Sequence, residues 1–197
     1  MRTSTSSGRR RCLGWLLGAA LAVPRLARAA ASGLQVLRPA VAPLPAVVLQ
    51  TMAGESRTLD RELAAEVPLV LNFVFTTCST TCSLQTAVLA QLQRDWQRQG
   101  RSLRLASITI DPDNDTPEQL RRFAAGFRTG PGWQFYTGRF DDLLRVQRHF
   151  DVYRGSKASH PPVILLRRDA RAPWVRVEGF PQAAELAALI ETLPSAA

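Results

Sequence analysis

Cysteine and histidine are scarce: the chain holds three of the first and two of the second. So few thiols exclude a small fold stapled by a disulfide network, and a core of this size does not need one. Acidic residues are absent from the first 29 positions, which carry six arginines (Arg2, Arg9, Arg10, Arg11, Arg25, Arg28). The apolar run there, Cys12 to Val23, is too short to cross a bilayer comfortably. No internal repeat or low-complexity domain is present, which excludes a solenoid or array. What remains is ordinary: 197 residues, 46% hydrophobic and 21% charged, enough for one domain with a real core and unlike a disordered chain.

The formal charge of +9 resembles a nucleic-acid signal until its distribution is considered. Without the six leader arginines, 19 basic residues face 16 acidic ones. The excess sits mostly in the leader, and no nucleic-acid partner is expected. Arg9-Arg10-Arg11, the apolar run and Ala27-Arg28-Ala29 have the order of an export signal with a small-x-small cleavage site. The arginine cluster also fits the twin-arginine route. Arginines stand where a lipobox around Cys12 needs small apolar residues, so cleavage is expected rather than anchoring. Residues 1–29 are read as signal peptide, 30–45 as a proline-containing linker, and 46–195 as the folded domain. Cys78 and Cys82 are then the only thiols of the exported chain.

Periodicity organises that domain. Val47-Val48-Leu49 and Arg57-Thr58-Leu59 read as a hairpin turning at Gly54. Leu69 to Phe75 is apolar on both faces, as a central strand must be. Leu84, Val88, Leu92 and Trp96 recur every four residues and predict a helix closed by Gly100. Leu103 to Ile110 reads as a strand. Thr116-Pro117-Glu118-Gln119 reads as a helix start, with Thr116 as N-cap, Pro117 at the first helical position and Gln119 completing a capping box. Its inner face is Leu120, Phe123, Ala124 and Phe127. Trp133 to Tyr136 is a strand and Asp141 to Phe150 a helix. Pro162–Leu166 and Trp174–Glu178 form a hairpin, and Pro181 opens a last helix facing inward through Leu186, Leu189, Ile190 and Leu193. Strands alternating with helices predict an α/β fold with a central, mostly parallel sheet flanked by helices. The order is thioredoxin-like, with an N-terminal β-hairpin and an extra strand–helix insertion.

Cys78-Ser79-Thr80-Thr81-Cys82 lies where the central strand gives way to a helix N-terminus. Helix-end amides and the macrodipole stabilise thiolate there. With Cys78 just before the first turn, both sulfurs can face one way, close a disulfide or hold a soft ion such as Cu(I) or Zn(II). His160, in the loop Ser159-His160-Pro161-Pro162 entering a strand, is the candidate third ligand. In a thioredoxin-like fold that loop packs against the cysteine turn. His149, among arginines, reads as a solvated helix residue, and Arg167, Arg168 and Arg171 as a solvated turn. Asp111-Pro112-Asp113-Asn114-Asp115 opens like a calcium loop, but Thr116 replaces the glycine and Arg122 the bidentate glutamate. Asp111, at a strand end, is expected near the cysteines. Peroxide chemistry of the peroxiredoxin kind is excluded, because Phe75 and Leu71 occupy the positions where threonine and proline are required.

Phe75-Thr76-Thr77-Cys78-Ser79-Thr80-Thr81-Cys82, then Ile110-Asp111-Pro112-Asp113-Asn114-Asp115-Thr116-Pro117-Glu118, then His160 before Val163-Ile164-Leu165-Leu166 resemble the Sco/SenC family, from about Val47 to Leu193. The resemblance implies a thioredoxin fold acting in the periplasm or the mitochondrial intermembrane space, the leader suiting the first better, and a copper ion, Cu(I) or Cu(II), held by Cys78, Cys82 and His160. It implies a monomeric metallochaperone rather than an enzyme. Its partner would be the copper-bearing subunit of cytochrome c oxidase, whose dinuclear copper centre it helps assemble, or another periplasmic copper protein. The alternative is a thiol–disulfide oxidoreductase using the redox pair Cys78 and Cys82. Three positions depart from the family pattern. Ser83 replaces a proline after the second cysteine, Ser159 an aspartate before the histidine, and Pro161 a hydroxyl residue after it. The loss of that acid removes a partner for the imidazole. Pro161-Pro162 stand at the strand entry where thioredoxins carry a cis-proline.

Overall fold

The computed structural model describes Met1, Gln35–Leu37 and residues 43–194. The export signal, Cys12 and most of the expected linker lie outside these. The described elements are β1 (Gln35–Leu37), β2 (Val48–Thr51), β3 (Ser56–Thr58), α1 (Leu59–Leu63), β4 (Leu69–Val74), α2 (Thr81–Arg98), β5 (Arg104–Thr109), α3 (Pro117–Gly126), β6 (Trp133–Thr137), α4 (Phe140–His149), β7 (Val163–Arg167), β8 (Val175–Glu178) and α5 (Ala183–Glu191). A single turn of 3-10 helix, Lys157–Ser159, precedes β7.

All eight strands form one sheet in the order β1-β8-β7-β4-β5-β6-β2-β3. Its centre is parallel, β4 with β5 and β5 with β6. Antiparallel strands flank it: β7 against β4, β8 against β7, and the hairpin β2–β3 against β6. β4 is buried along its whole length, which is why its sequence shows no alternation. Even-numbered Val70 and Val74 point to the face covered by α2, α3 and α5, with Leu89, Leu92, Leu120 and Leu186. Odd-numbered Leu69, Leu71 and Phe73 point to the other face, with Leu59 and Leu63 from α1, Leu143 and Val146 from α4, and Phe150 just after it. This is the thioredoxin-like α/β arrangement expected.

The turn chemistry also follows expectation. Gly54 takes φ +88° in the β2–β3 turn and Gly100 φ +67° after α2, conformations that glycine adopts without a Cβ penalty. Thr116 caps α3 by accepting a hydrogen bond from the Gln119 N–H at 3.3 Å, with Pro117 in the first turn. Gln119 does not complete the expected capping box, because the Thr116 N–H bonds the Asn114 carbonyl at 3.1 Å instead.

Several elements differ from the pattern reading. Gln35–Leu37, inside the expected linker, pairs antiparallel with β8 as an edge strand. Its three residues are all exposed, so no alternation betrays it. α1 is a single five-residue helix anchored by buried Leu59 and Leu63, too short to show a period. On α2, Leu84 is 53% exposed while Gln85, Leu89, Leu92, Gln93 and Trp96 are buried. A four-residue repeat overshoots each 3.6-residue turn by about 40°, so Leu84 and Trp96 end about 120° apart. Polar Gln85 and Gln93 complete the buried stripe because they find partners in Asn72 and in the carbonyls of Gly130 and Pro131. Arg167 is not a solvated turn residue. It lies buried in β7, its guanidinium 4.5 Å from the Trp174 ring centroid and bonded to the Ala170 carbonyl. No cis peptide occurs among the described residues, so Pro161 and Pro162 do not reproduce the thioredoxin feature.

Leu92→Ala removes a fully buried side chain from the helix that carries Cys82. It should cost about 2–5 kcal/mol, whereas Leu84→Ala on the exposed side should cost under about 0.5 kcal/mol. Urea midpoints of the two variants check the register of α2.

Candidate metal and thiol site

β4 ends at Val74, and the chain turns sharply over the next residues. The Cys78 N–H bonds the Phe75 carbonyl at 3.0 Å, closing this turn. α2 then begins at Thr81, leaving Cys78 outside the helix and Cys82 in its first turn. The first N–H groups of a helix have no partner within it. One of them, the Cys82 N–H, points at the Cys78 sulfur at 3.3 Å. Ser83, the residue that stands for proline, donates its hydroxyl to the Cys78 carbonyl at 2.9 Å and so ties the turn to the helix.

The two thiols are free and unequal. Partial burial opposes the Cys78 thiolate, but the hydrogen bonds from Cys82 and Thr80 outweigh it, and Cys78 is held below the ordinary thiol value. Burial pushes Cys82 up to about 12, helped by the adjacent Cys78 sulfur and the Asp115 charge. One sulfur is reachable and readily ionised; the other is buried and keeps its proton.

His160 ends the 3-10 turn, with its N–H bonded to the Lys157 carbonyl at 3.2 Å. Its ring lies edge-on to Phe73 with centroids 6.3 Å apart. Phe73 is one residue before the end of the strand that the cysteine turn leaves. The buried Nδ1 of His160 has no hydrogen-bond partner. Burial holds the imidazole below its ordinary value against the opposing pull of the Phe73 and Val152 carbonyls, so the neutral ring is favoured at neutral pH. Imidazole and cysteine turn therefore occupy the same end of β4. Among the described residues no three His, Cys, Asp or Glu side chains are gathered closely enough to hold a metal ion as they stand. A cavity of about 190 Å³ adjoins His160, lined by Ile110, Asp111, Gln147, Tyr153 and Lys157 among others.

The acid that reaches the cysteine turn is Asp115. It is fully buried. Its carboxylate accepts the Thr76 N–H at 3.1 and 3.2 Å, the Thr76 hydroxyl at 2.6 Å, and the Thr109 hydroxyl. Burial raises its pKa against these bonds. Asp111, the acid expected there, instead accepts from Asn114 at 3.0 Å and from Lys157 at 2.5 Å, reaching the histidine loop rather than the thiols. The sequence does carry a signal for Asp115: it directly precedes the Thr116 cap, so the start of α3 fixes its position. His149 is less solvated than expected. Its Nε2 is buried without a partner, and its ring stands edge-on to Phe150 with centroids 4.7 Å apart.

Comparisons with known proteins agree with this fold. A Bacillus subtilis SCO1 protein homolog is 34% identical over 110 residues, 55% of this chain and 56% of the relative; the match spans just over half of that protein. Arabidopsis thaliana ScoI, solved with copper bound, superposes with a TM-score of 0.64 at 21% identity, covering 76% of this chain and 97% of that one. BsSco, described as a member of the Sco family of cytochrome c oxidase assembly proteins in which a disulfide switch was identified, gives 0.64 at 21% identity, covering 78% and 94%. Among the described residues no helix is long and apolar enough to cross a membrane. The family model SCO1/SenC matches residues 49–166, more than half of the sequence, and the chain belongs to that family.

Proposed function

We propose that this chain is an exported copper-binding metallochaperone that acts in the periplasm in assembly of the dinuclear copper centre of cytochrome c oxidase. Cys78, Cys82 and His160 hold the copper as cargo. The carrying observation is the donor set: two thiols and one neutral imidazole, with an unpartnered buried nitrogen, at one end of one strand. Thiolate sulfur is soft and imidazole is borderline, a combination that suits Cu(I) and accommodates Cu(II). The helix-end N–H of Cys82 stabilises negative charge on Cys78, as a thiolate ligand needs. Closing the set requires the His160 imidazole to move toward the sulfurs from the turn that carries it. Copper bound in Arabidopsis ScoI and the oxidase-assembly description of BsSco support the cargo and the partner. The arginine-rich leader supports export, by the twin-arginine route and with cleavage near Ala29.

A second reading is favoured by the inequality of the thiols. A thiol–disulfide oxidoreductase needs one accessible, readily ionised sulfur and a second that stays protonated until the first has reacted. Cys78 and Cys82 have those properties. Cys78 thiolate would attack a disulfide of an exported partner, and Cys82 would resolve the mixed disulfide. That leaves Cys78–Cys82 oxidised and the partner's cysteines reduced, ready for copper.

Competition titration with Cu(I) should give one ion per chain. His160→Ala should weaken binding by more than about tenfold, since even residues behind a ligand typically contribute that much. Binding that survives His160→Ala unchanged would contradict the ligand set. Iodoacetamide labelling followed across pH, with peptide mapping to separate the three cysteines, tests the thiol inequality. Cys78 should reach its full rate below the pH at which an ordinary thiol does, while Cys82 stays slow through pH 9 because its value is about 12. Equal rates would remove the basis for separate roles. Cys82→Ser should trap Cys78 in a mixed disulfide with an exported dithiol protein if the second reading holds; no trapped species leaves metal carriage alone.

A further inference from the structure

Lys157 is the only lysine of the chain; every other side-chain cation that is charged at all pH values of interest is arginine. It sits in the 3-10 turn three residues before His160. That turn is held mostly by itself. The Ser156 hydroxyl accepts the Ala158 N–H at 3.2 Å, the Ser156 carbonyl the Ser159 N–H at 3.1 Å, and the Lys157 carbonyl the His160 N–H at 3.2 Å. Among the described residues Arg154 bonds only to Asp151 and to the adjacent Tyr153 carbonyl. Arg176 on β8 holds the start of the loop at the Phe150 and Asp151 carbonyls, and among the described residues the Lys157 ammonium makes the side-chain hydrogen bond that ties the 3-10 turn itself to another segment, 2.5 Å to the Asp111 carboxylate. Its path crosses the Phe75 ring, with the nitrogen 5.8 Å from the centroid.

Asp111 is itself fixed. Its N–H bonds the Thr109 hydroxyl at 2.9 Å, its carbonyl accepts the Asp115 N–H at 2.9 Å, and Asn114 holds both carboxylate oxygens. Asp115 in turn grips Thr76, two residues before Cys78. The five-residue loop Asp111–Asp115 thus holds the cysteine turn by one acid and the histidine loop by the other. The Asp111 side chain is 9% exposed and that of Lys157 44%, so the pair is shielded on the acid's side and reachable on the lysine's.

We propose that Lys157 is a positioning residue for His160: paired with Asp111, its ammonium keeps the histidine loop in register with the cysteine turn, so that the imidazole is placed to complete a soft-metal site. The inference rests on the ligand set proposed above and adds to it what fixes the third ligand. Loss of the pair enlarges the set of loop conformations, and apparent affinity falls by the fraction that remains competent. Ser159, not an acid, precedes His160, so the ionic support for this turn comes from Asp111 across the site.

The test uses the full chain with Lys157→Met, which keeps the length and removes the charge, and Lys157→Arg, which keeps the charge. In the copper-free protein, amide hydrogen exchange at Ala158, Ser159 and His160 should speed about tenfold in Lys157→Met, and Cu(I) affinity should fall by a similar factor. Lys157→Arg should retain the protection, and Asp111→Asn should reproduce the loss. In a His160→Ala background Lys157→Met should weaken Cu(I) binding no further, because the residue acts only through the imidazole. Unchanged exchange in Lys157→Met, or an undiminished effect of Lys157→Met on affinity without His160, overturns the inference. His160→Ala weakening Cu(I) binding while Lys157→Met does not sinks this inference alone; His160→Ala without effect sinks the ligand set and this inference together.

Discussion

A single buried carboxylate, Asp115, organises the site. It is wholly removed from solvent, which disfavours its charge, yet it accepts two bonds from Thr76 and one from Thr109. A charge in such a place is costly unless its lone pairs are filled, and leaving it unpaired is costlier still. The Thr76 backbone is therefore fixed against the end of β5, and the chain has little choice about where Cys78 emerges. From that point the free N–H groups at the start of α2 act on the Cys78 sulfur. The inequality of the thiols follows from position: one lies outside the helix and accepts a hydrogen bond, the other lies in its first turn and is buried.

The parallel pairing of β4 with β5 is what lets Asp115 do this. Both strands end at the same edge of the sheet, so the turn after one meets the loop after the other. β7 runs antiparallel to β4 and enters the sheet at that edge, which brings His160 there too. Three segments far apart in sequence converge because strand direction dictates it, in keeping with the rule that ligands of open α/β sheets bind beyond the strand ends. The same convergence serves both readings of the thiols. A site that exposes one ionisable sulfur and shelters another suits exchange with a disulfide, and adding an imidazole turns it toward soft-metal capture.

Much of this was legible in the sequence because it rests on local rules. The unbroken apolar run of β4, the Thr116-Pro117 helix start and the glycine stops each follow from short-range sterics, and each stands where expected. The placement of Cys78 before a helix, with Cys82 inside it, was legible for the same reason. What was not legible depends on partners distant in sequence. The four-residue repeat alone makes Leu84 a core residue, but its drift turns Leu84 away from a buried stripe that contains two glutamines. Arg167 reads as solvated in sequence because nothing local announces Trp174 beneath its guanidinium. Asp111 and Asp115 lie four residues apart and look equivalent in sequence, yet one reaches the histidine loop and the other the cysteine turn. β1 has no pattern of its own and exists as a strand through its pairing with β8.

The account stands on sulfur and imidazole sharing one ion. X-ray absorption at the copper edge of the Cu(I)-loaded full chain examines that directly. The account predicts a first shell of two sulfurs and one nitrogen, with the outer-shell scattering of an imidazole ring that disappears in His160→Ala. A shell of sulfur alone, unchanged by that substitution, would contradict it.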